Sequence, residues 1–105
     1  METPIEQLNA KIFNQHLQTQ FHAQLENGKT VPLKLEEVEE RNISPRIELF
    51  FVRFRGPAAP LLTQKIYRME HEKLGALSIF ITAIDSDETG IQYEAVFHRF
   101  HKKGS

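Results

Sequence analysis

Six consecutive residues, Asp85-Ser86-Asp87-Glu88-Thr89-Gly90, offer the most chemistry in this chain. Oxygen donors at positions one, three and five and a glycine at six are how an EF-hand calcium loop opens. Such a loop also needs a bidentate glutamate at position twelve, and that position is Val96. The residues after Gly90 alternate like a strand rather than a helix. The expected state is therefore a hairpin loop with solvated acids, where Gly90 supplies a positive φ.

The five histidines are the next candidates. His98 and His101 stand three apart, a spacing that chelates a metal on a helix but points to opposite faces on a strand, and no cysteine or third ligand is near. His16 and His22 fall on the polar phase of their segments and are expected in solvent. His71 could act as a general base only with an acid and a substrate proton in reach. Its neighbours Glu70 and Glu72 would point the opposite way on a strand. The expected state of His71 is a turn residue whose ring nitrogen satisfies a backbone carbonyl. Arg53, Arg55, Lys65, Arg68 and Arg99 could combine with nearby rings to bind single-stranded nucleic acid. Glu48, Glu70 and Glu94 alternate through the same strands, so cross-strand neutralisation is expected instead. No metal, cofactor or catalytic residue is assigned, and an enzyme is not expected.

Composition agrees with that reading. The chain has 105 residues, enough for one domain, and its 40% hydrophobic content suits a single core. A net charge of −1 creates no field toward nucleic acid or an anionic membrane. The absence of cysteine excludes disulfides and thiol catalysis. The opening METPIEQLNAK lacks the pattern of a signal peptide, and no run reaches the roughly 18 apolar residues of a membrane span. A cytoplasmic protein is expected.

The elements that must position these residues are mostly strands. Thr3-Pro4-Ile5-Glu6 reads as a helix start, with Thr3 as cap, Pro4 at the first helical position and Glu6 completing a capping box. Ile5, Leu8 and Ile12 continue at helical spacing, which predicts a short helix over about residues 4–14. From Thr19 the period is two. Strands are predicted over about residues 19–26, 30–39, 46–56, 65–71, 76–84 and 91–99, with 102–105 as a tail. Asn27-Gly28 is a strong hairpin signal, and the phase slip between Leu35 and Val38 predicts a bulge near Glu36-Glu37. Gly56-Pro57-Ala58-Ala59-Pro60 must be a loop. Six strands in sequential order predict a mainly β domain: an up-and-down antiparallel barrel or curled sheet with a short N-terminal α-helix.

Phe54-Arg55-Gly56-Pro57, then Tyr67-Arg68-Met69-Glu70-His71 with Leu74-Gly75 and Leu77, then Tyr93-Glu94-Ala95-Val96-Phe97, form a combination of motifs. It resembles a family of small uncharacterised bacterial β-domains. The resemblance implies a small β fold, no transferable catalytic residues, and an assembly role near tail-fibre or collar-like proteins.

The apolar residues exceed what one interior can use. With Ile47, Leu49 and Phe51 assigned inside, Phe50, Val52, Phe54, Phe80, Ile84 and Val96 fall on the outer phase. They are too many for scattered surface residues. Either the helix covers them through Ile5, Leu8, Ile12 and Phe13, or a second subunit or another protein does. The first expectation is thus a non-enzymatic interaction or assembly module, possible as a homo-oligomer. The alternative is a barrel that holds a small molecule or carbohydrate at a mouth formed by Tyr67, His71 and Tyr93.

Overall fold

The computed structural model describes residues 3–4 and 7–100, with backbone alone at 42 and 43. Ile5 and Glu6 of the expected capping box, His101 of the histidine pair, and the tail 102–105 lie outside the described residues.

One helix, α1 (Ala10–Asn14), precedes six strands: β1 (Gln20–Gln24), β2 (Thr30–Ser44), β3 (Ile47–Gly56), β4 (Lys65–His71), β5 (Gly75–Asp87) and β6 (Gly90–Phe100). The helix is shorter than its spacing predicts. Asn9 caps it by accepting from the Ile12 amide at 2.8 Å. Thr3 instead serves the sheet: its amide donates to the Ala76 carbonyl at 2.8 Å and its hydroxyl to the Leu74 carbonyl. Tertiary hydrogen bonds have displaced a local capping signal.

All strand pairs are antiparallel, and the sheet closes in a ring in the order β1-β2-β3-β6-β5-β4. This corrects the sequential up-and-down order. Residues 57–64 carry the chain across one end, so β4 lands beside β1 and β3 pairs with β6. Each three-stranded meander then has a neighbour reached by a long connection, which is the Greek-key arrangement. The β1–β4 seam is short, running from Phe21↔His71 to Ala23↔Met69.

Local signals hold well in β1 and β2. Gly28 takes φ 86° in the loop after β1, where the Asn27 side chain accepts from the Lys29 amide. Only the glycine of this pair is at positive φ, so the loop is longer than a two-residue hairpin. The β2–β3 register shifts between Leu35 and Glu37, where the phase slip placed it.

β3 is the main correction. Phe50, Val52 and Phe54 are fully buried, while Ile47, Leu49 and Phe51 are half-buried on the outside. The cause lies in pairing: residues directly opposite share a face. Phe50, Val52 and Phe54 oppose Phe97, Ala95 and Tyr93, the inward set of β6. Phe50 stacks on Phe97 with centroids 4.6 Å apart, and Phe54 meets Phe21 edge-on at 5.3 Å. Phe13 of α1 joins Phe21, Phe50 and Phe97, so the helix closes one end of the ring rather than covering its outer face. Phe80, Ile84 and Val96 do remain exposed.

Candidate functional site

Tyr67, His71 and Tyr93 do not form a mouth. The two tyrosines work at the end crossed by residues 57–64. The Tyr93 hydroxyl accepts from the Leu62 amide at 3.0 Å, and the Tyr67 hydroxyl donates to the Thr63 carbonyl at 2.8 Å. Leu62 is buried with them. Burial pushes the Tyr93 pKa above its ordinary value. These hydroxyls anchor a crossing segment and are not aimed at a ligand.

His71 sits at the other end of β4, beneath the link from α1 to β1. Its Nδ1 accepts from the amides of Lys73 and Leu74 at 3.0 and 3.2 Å. The proton therefore resides on Nε2, which donates to Thr19 Oγ1 at 2.9 Å. Thr19 Oγ1 in turn donates to the His16 carbonyl at 2.6 Å. The expected turn role stands, but the ring accepts backbone amides instead of donating to a carbonyl. A depression of about 600 Å³ opens above it, lined in part by His16, His22 and Glu72. Both ring nitrogens of His71 are thus engaged within the chain.

That bonding makes a pH prediction. Burial, then the nearby His16 and His22, hold the His71 pKa below the ordinary 6.5, while Glu72 opposes them. On acidification the unfolded chain takes up this proton first, because the folded ring resists it. Stability from this group is complete above about pH 6.5 and is lost as pH falls from there through the lower folded value. Denaturant melts from pH 7.5 downward should show wild type losing stability faster than His71→Gln, which cannot titrate. Parallel curves would refute this account of the ring.

Charged side chains on the outer face are already used. Arg53 reaches Glu37, Glu39 and Glu94 at 3.0, 2.9 and 2.9 Å. Burial alone would lower its pKa, but these carboxylates hold it above the ordinary arginine value. Arg55 binds Glu36 at 2.9 Å and Asp87 at 3.2 Å, whereas Arg99 binds Glu48 at 3.1 Å on the inward phase, over the rings of Phe50 and Phe97. Lys65 lies 3.6 Å from Glu26 and Arg68 lies 3.9 Å from Glu70. The five cations therefore share their strands with acids and form no uniform basic face.

The Asp85–Gly90 stretch is a tight hairpin end. Asp87 accepts from the Thr89 amide at 2.8 Å and hydroxyl at 2.6 Å, which with Arg55 lowers its pKa. Among the described residues, no three His, Asp or Glu side chains converge to hold a metal ion.

What does come together is an apolar row on the outer face. Ile66 on β4 opposes Phe80 on β5, and both are exposed. The last β5–β6 pair is Thr82↔Glu94, so Phe80 and Val96 flank the seam two residues beyond it. Val96 in turn opposes Phe51, whose ring carries the guanidinium groups of Arg41 and Arg53 at 5.2 and 5.6 Å. Ile84 lies at the register shift between Ala83 and Asp85. Sequence reasoning named Phe80, Ile84 and Val96 but missed Ile66 and Phe100. Ile66 was readable, since it is out of phase with the buried Tyr67 and Met69.

These features define a closed antiparallel β domain with a buried apolar interior and exposed apolar side chains on its outer face. The chain belongs to the family described as Domain of unknown function (DUF6916), whose model matches residues 8–97. That span runs from Leu8 to Phe97, both buried, and takes in every buried apolar side chain among the described residues. No curated protein and no solved structure matches the chain. Among the described residues, no helix is long and apolar enough to cross a membrane.

Proposed function

We propose that this chain is a non-enzymatic interaction or assembly module of the bacterial cytoplasm that works through its outer sheet face. The observation that carries the proposal is the Ile66–Phe80–Val96 row, exposed on a sheet whose interior is already filled. Apolar side chains that contribute nothing to the core, grouped across adjacent strands, mark an association surface. The assembly setting beside fibre- or collar-like proteins, implied by the resemblance, suits a rigid scaffold of this kind. A ligand-binding barrel is disfavoured, because Tyr67, Tyr93 and His71 spend their polar atoms on the chain itself.

Phe80→Asp tests the reading. The side chain is half-exposed and faces outward, so the variant should keep the wild-type circular dichroism and melting temperature within a few degrees. It should lose whatever association the wild-type domain shows in native lysate and in purified form. Unchanged association with the fold intact would remove this face from consideration.

A further inference from the structure

We propose that the His71 ring is an acid-released latch on the β1–β4 seam: a proton taken at Nδ1 drives the ring out of its socket and opens that seam, while the other strand pairs stay closed. The latch is independent of the outer apolar face, and its failure leaves the interaction reading untouched.

The seam is the slightest join in the ring of strands. β1 and β4 share three residue pairs, whereas β3 and β6 share ten. One of the three is Phe21↔His71, so the histidine forms the end of the seam. Its ring lies 4.3 Å, centroid to centroid, from the ring of Phe21, an inward side chain of β1. It also ties two segments outside the paired residues. Nδ1 holds the turn after β4 through the Lys73 and Leu74 amides. Nε2 holds Thr19, and through it the His16 carbonyl, in the link before β1.

Only the neutral ring fits this socket. A proton on Nδ1 turns the acceptor into a donor that faces two amide N–H groups, and neither amide keeps its partner. The turn is held from its far side by Thr3, whose hydroxyl donates to the Leu74 carbonyl and whose amide donates to the Ala76 carbonyl. The ring is therefore the part that moves. The depression of about 600 Å³ beside it, lined in part by His16, Thr19, His22, Glu72 and Lys73, gives the charged ring a path to water. Swinging there withdraws the donor from Thr19 and the ring from Phe21, so the seam loses its end.

The surrounding charges favour departure. His16 of the link lies edge-on at 4.8 Å, and it and His22 of β1 both disfavour a charge on His71. Glu72 attracts that charge, and with Lys73 it lines the depression into which the ring would swing. Glu70 stands opposite His22 on the outer phase, and β5 meets His71 through Gly75, which brings no charge.

Backbone hydrogen exchange of the full chain, residue by residue at pH 7.5 and pH 5.0 with intrinsic rates divided out, tests the latch. The amides of Lys73, Leu74 and the β1–β4 pairs should open through a sub-global event, at a free energy below that of global unfolding measured in urea at the same pH. A released ring regains its ordinary pKa of 6.5 while the seated ring resists the proton, so this opening should grow by up to about 30-fold between the two pH values. His71→Gln should flatten that step, since its amide offers an acceptor but takes no proton. Thr19→Val removes the acceptor of Nε2 and leaves Nδ1 its amides, so it should raise opening already at pH 7.5 and keep the step. Exchange of these amides only with global unfolding would overturn the latch, as would opening that does not change with pH. A step that survives in His71→Gln would belong to His16 or His22 and would overturn it too. Should His71→Gln not fold, a Thr19→Val protein that opens no more than wild type at pH 7.5 would do the same.

Discussion

Gly90→Ala is expected to destabilise this domain by roughly 3–5 kcal/mol, a large part of the total stability of a chain this size. Gly90 opens β6 with φ +132°, a conformation that L side chains rarely adopt. A Cβ there would lie 2.1 Å from the Gly56 carbonyl oxygen, which is backbone and cannot rotate away. Relief requires the end of β3 to move. Gly56 is itself enclosed by Leu33 and Tyr93, so that movement would disturb the packed interior. In the loop after β1, Gly28 is the control: its φ is +86°, but nothing lies within 4 Å of the added atom. Gly28→Ala should carry only the conformational penalty, about 1 kcal/mol. Thermal melts should place Gly90→Ala roughly 10–20 °C below wild type and Gly28→Ala within several degrees of it. Equal losses would mean that the close approach of Gly90 to Gly56 is not what matters.

The hairpin end that contains Gly90 was legible, and so was the residue that argues against a calcium loop: Val96 stands where the last ligand belongs. Strands whose two faces differ were legible too. Leu77, Ile79 and Ile81 alternate with more polar or exposed neighbours, and that phase is the buried one. β3 was not legible, because IELFFVRFRG is apolar on both faces and its own pattern cannot choose between them. The choice is made by β6, through pairs such as Phe54↔Tyr93 that no local window contains.

Ring order was hidden for a similar reason. The connection 57–64 can either turn back to an adjacent strand or cross the end, and the hydroxyls that hold its crossing path belong to Tyr67 and Tyr93. At the N-terminus, the capping signal at Thr3 was real but was outcompeted by carbonyls of Leu74 and Ala76, distant in sequence. The outer row was half readable. Phe80 and Val96 betray themselves by phase, whereas their juxtaposition with Ile66 depends on register.

Phe50→Ala against Phe51→Ala measures that inversion directly. If β3 were inside out, Phe51 would be the core residue and its truncation the costly one. In this structure Phe50 is fully buried, stacked on Phe97 with planes 6° apart and touching Phe13 at a centroid distance of 6.2 Å. Removing it opens a cavity among rings contributed by α1, β3 and β6. Those rings come from three separately anchored elements, so the site cannot collapse easily, and the expected loss is about 3–5 kcal/mol. Phe51 is half-buried outside, where truncation removes two cation–π contacts from Arg41 and Arg53. Its loss should be near 1 kcal/mol, since both guanidinium groups keep their carboxylate partners. Urea melts should therefore rank Phe50→Ala well below Phe51→Ala, with wild type above both. The reverse ranking would return Phe50, Val52 and Phe54 to the outer face. It would also dissolve the distinction between core and row on which the interaction surface depends, because the row is apolar surface only if these three phenylalanine and valine side chains fill the interior without it.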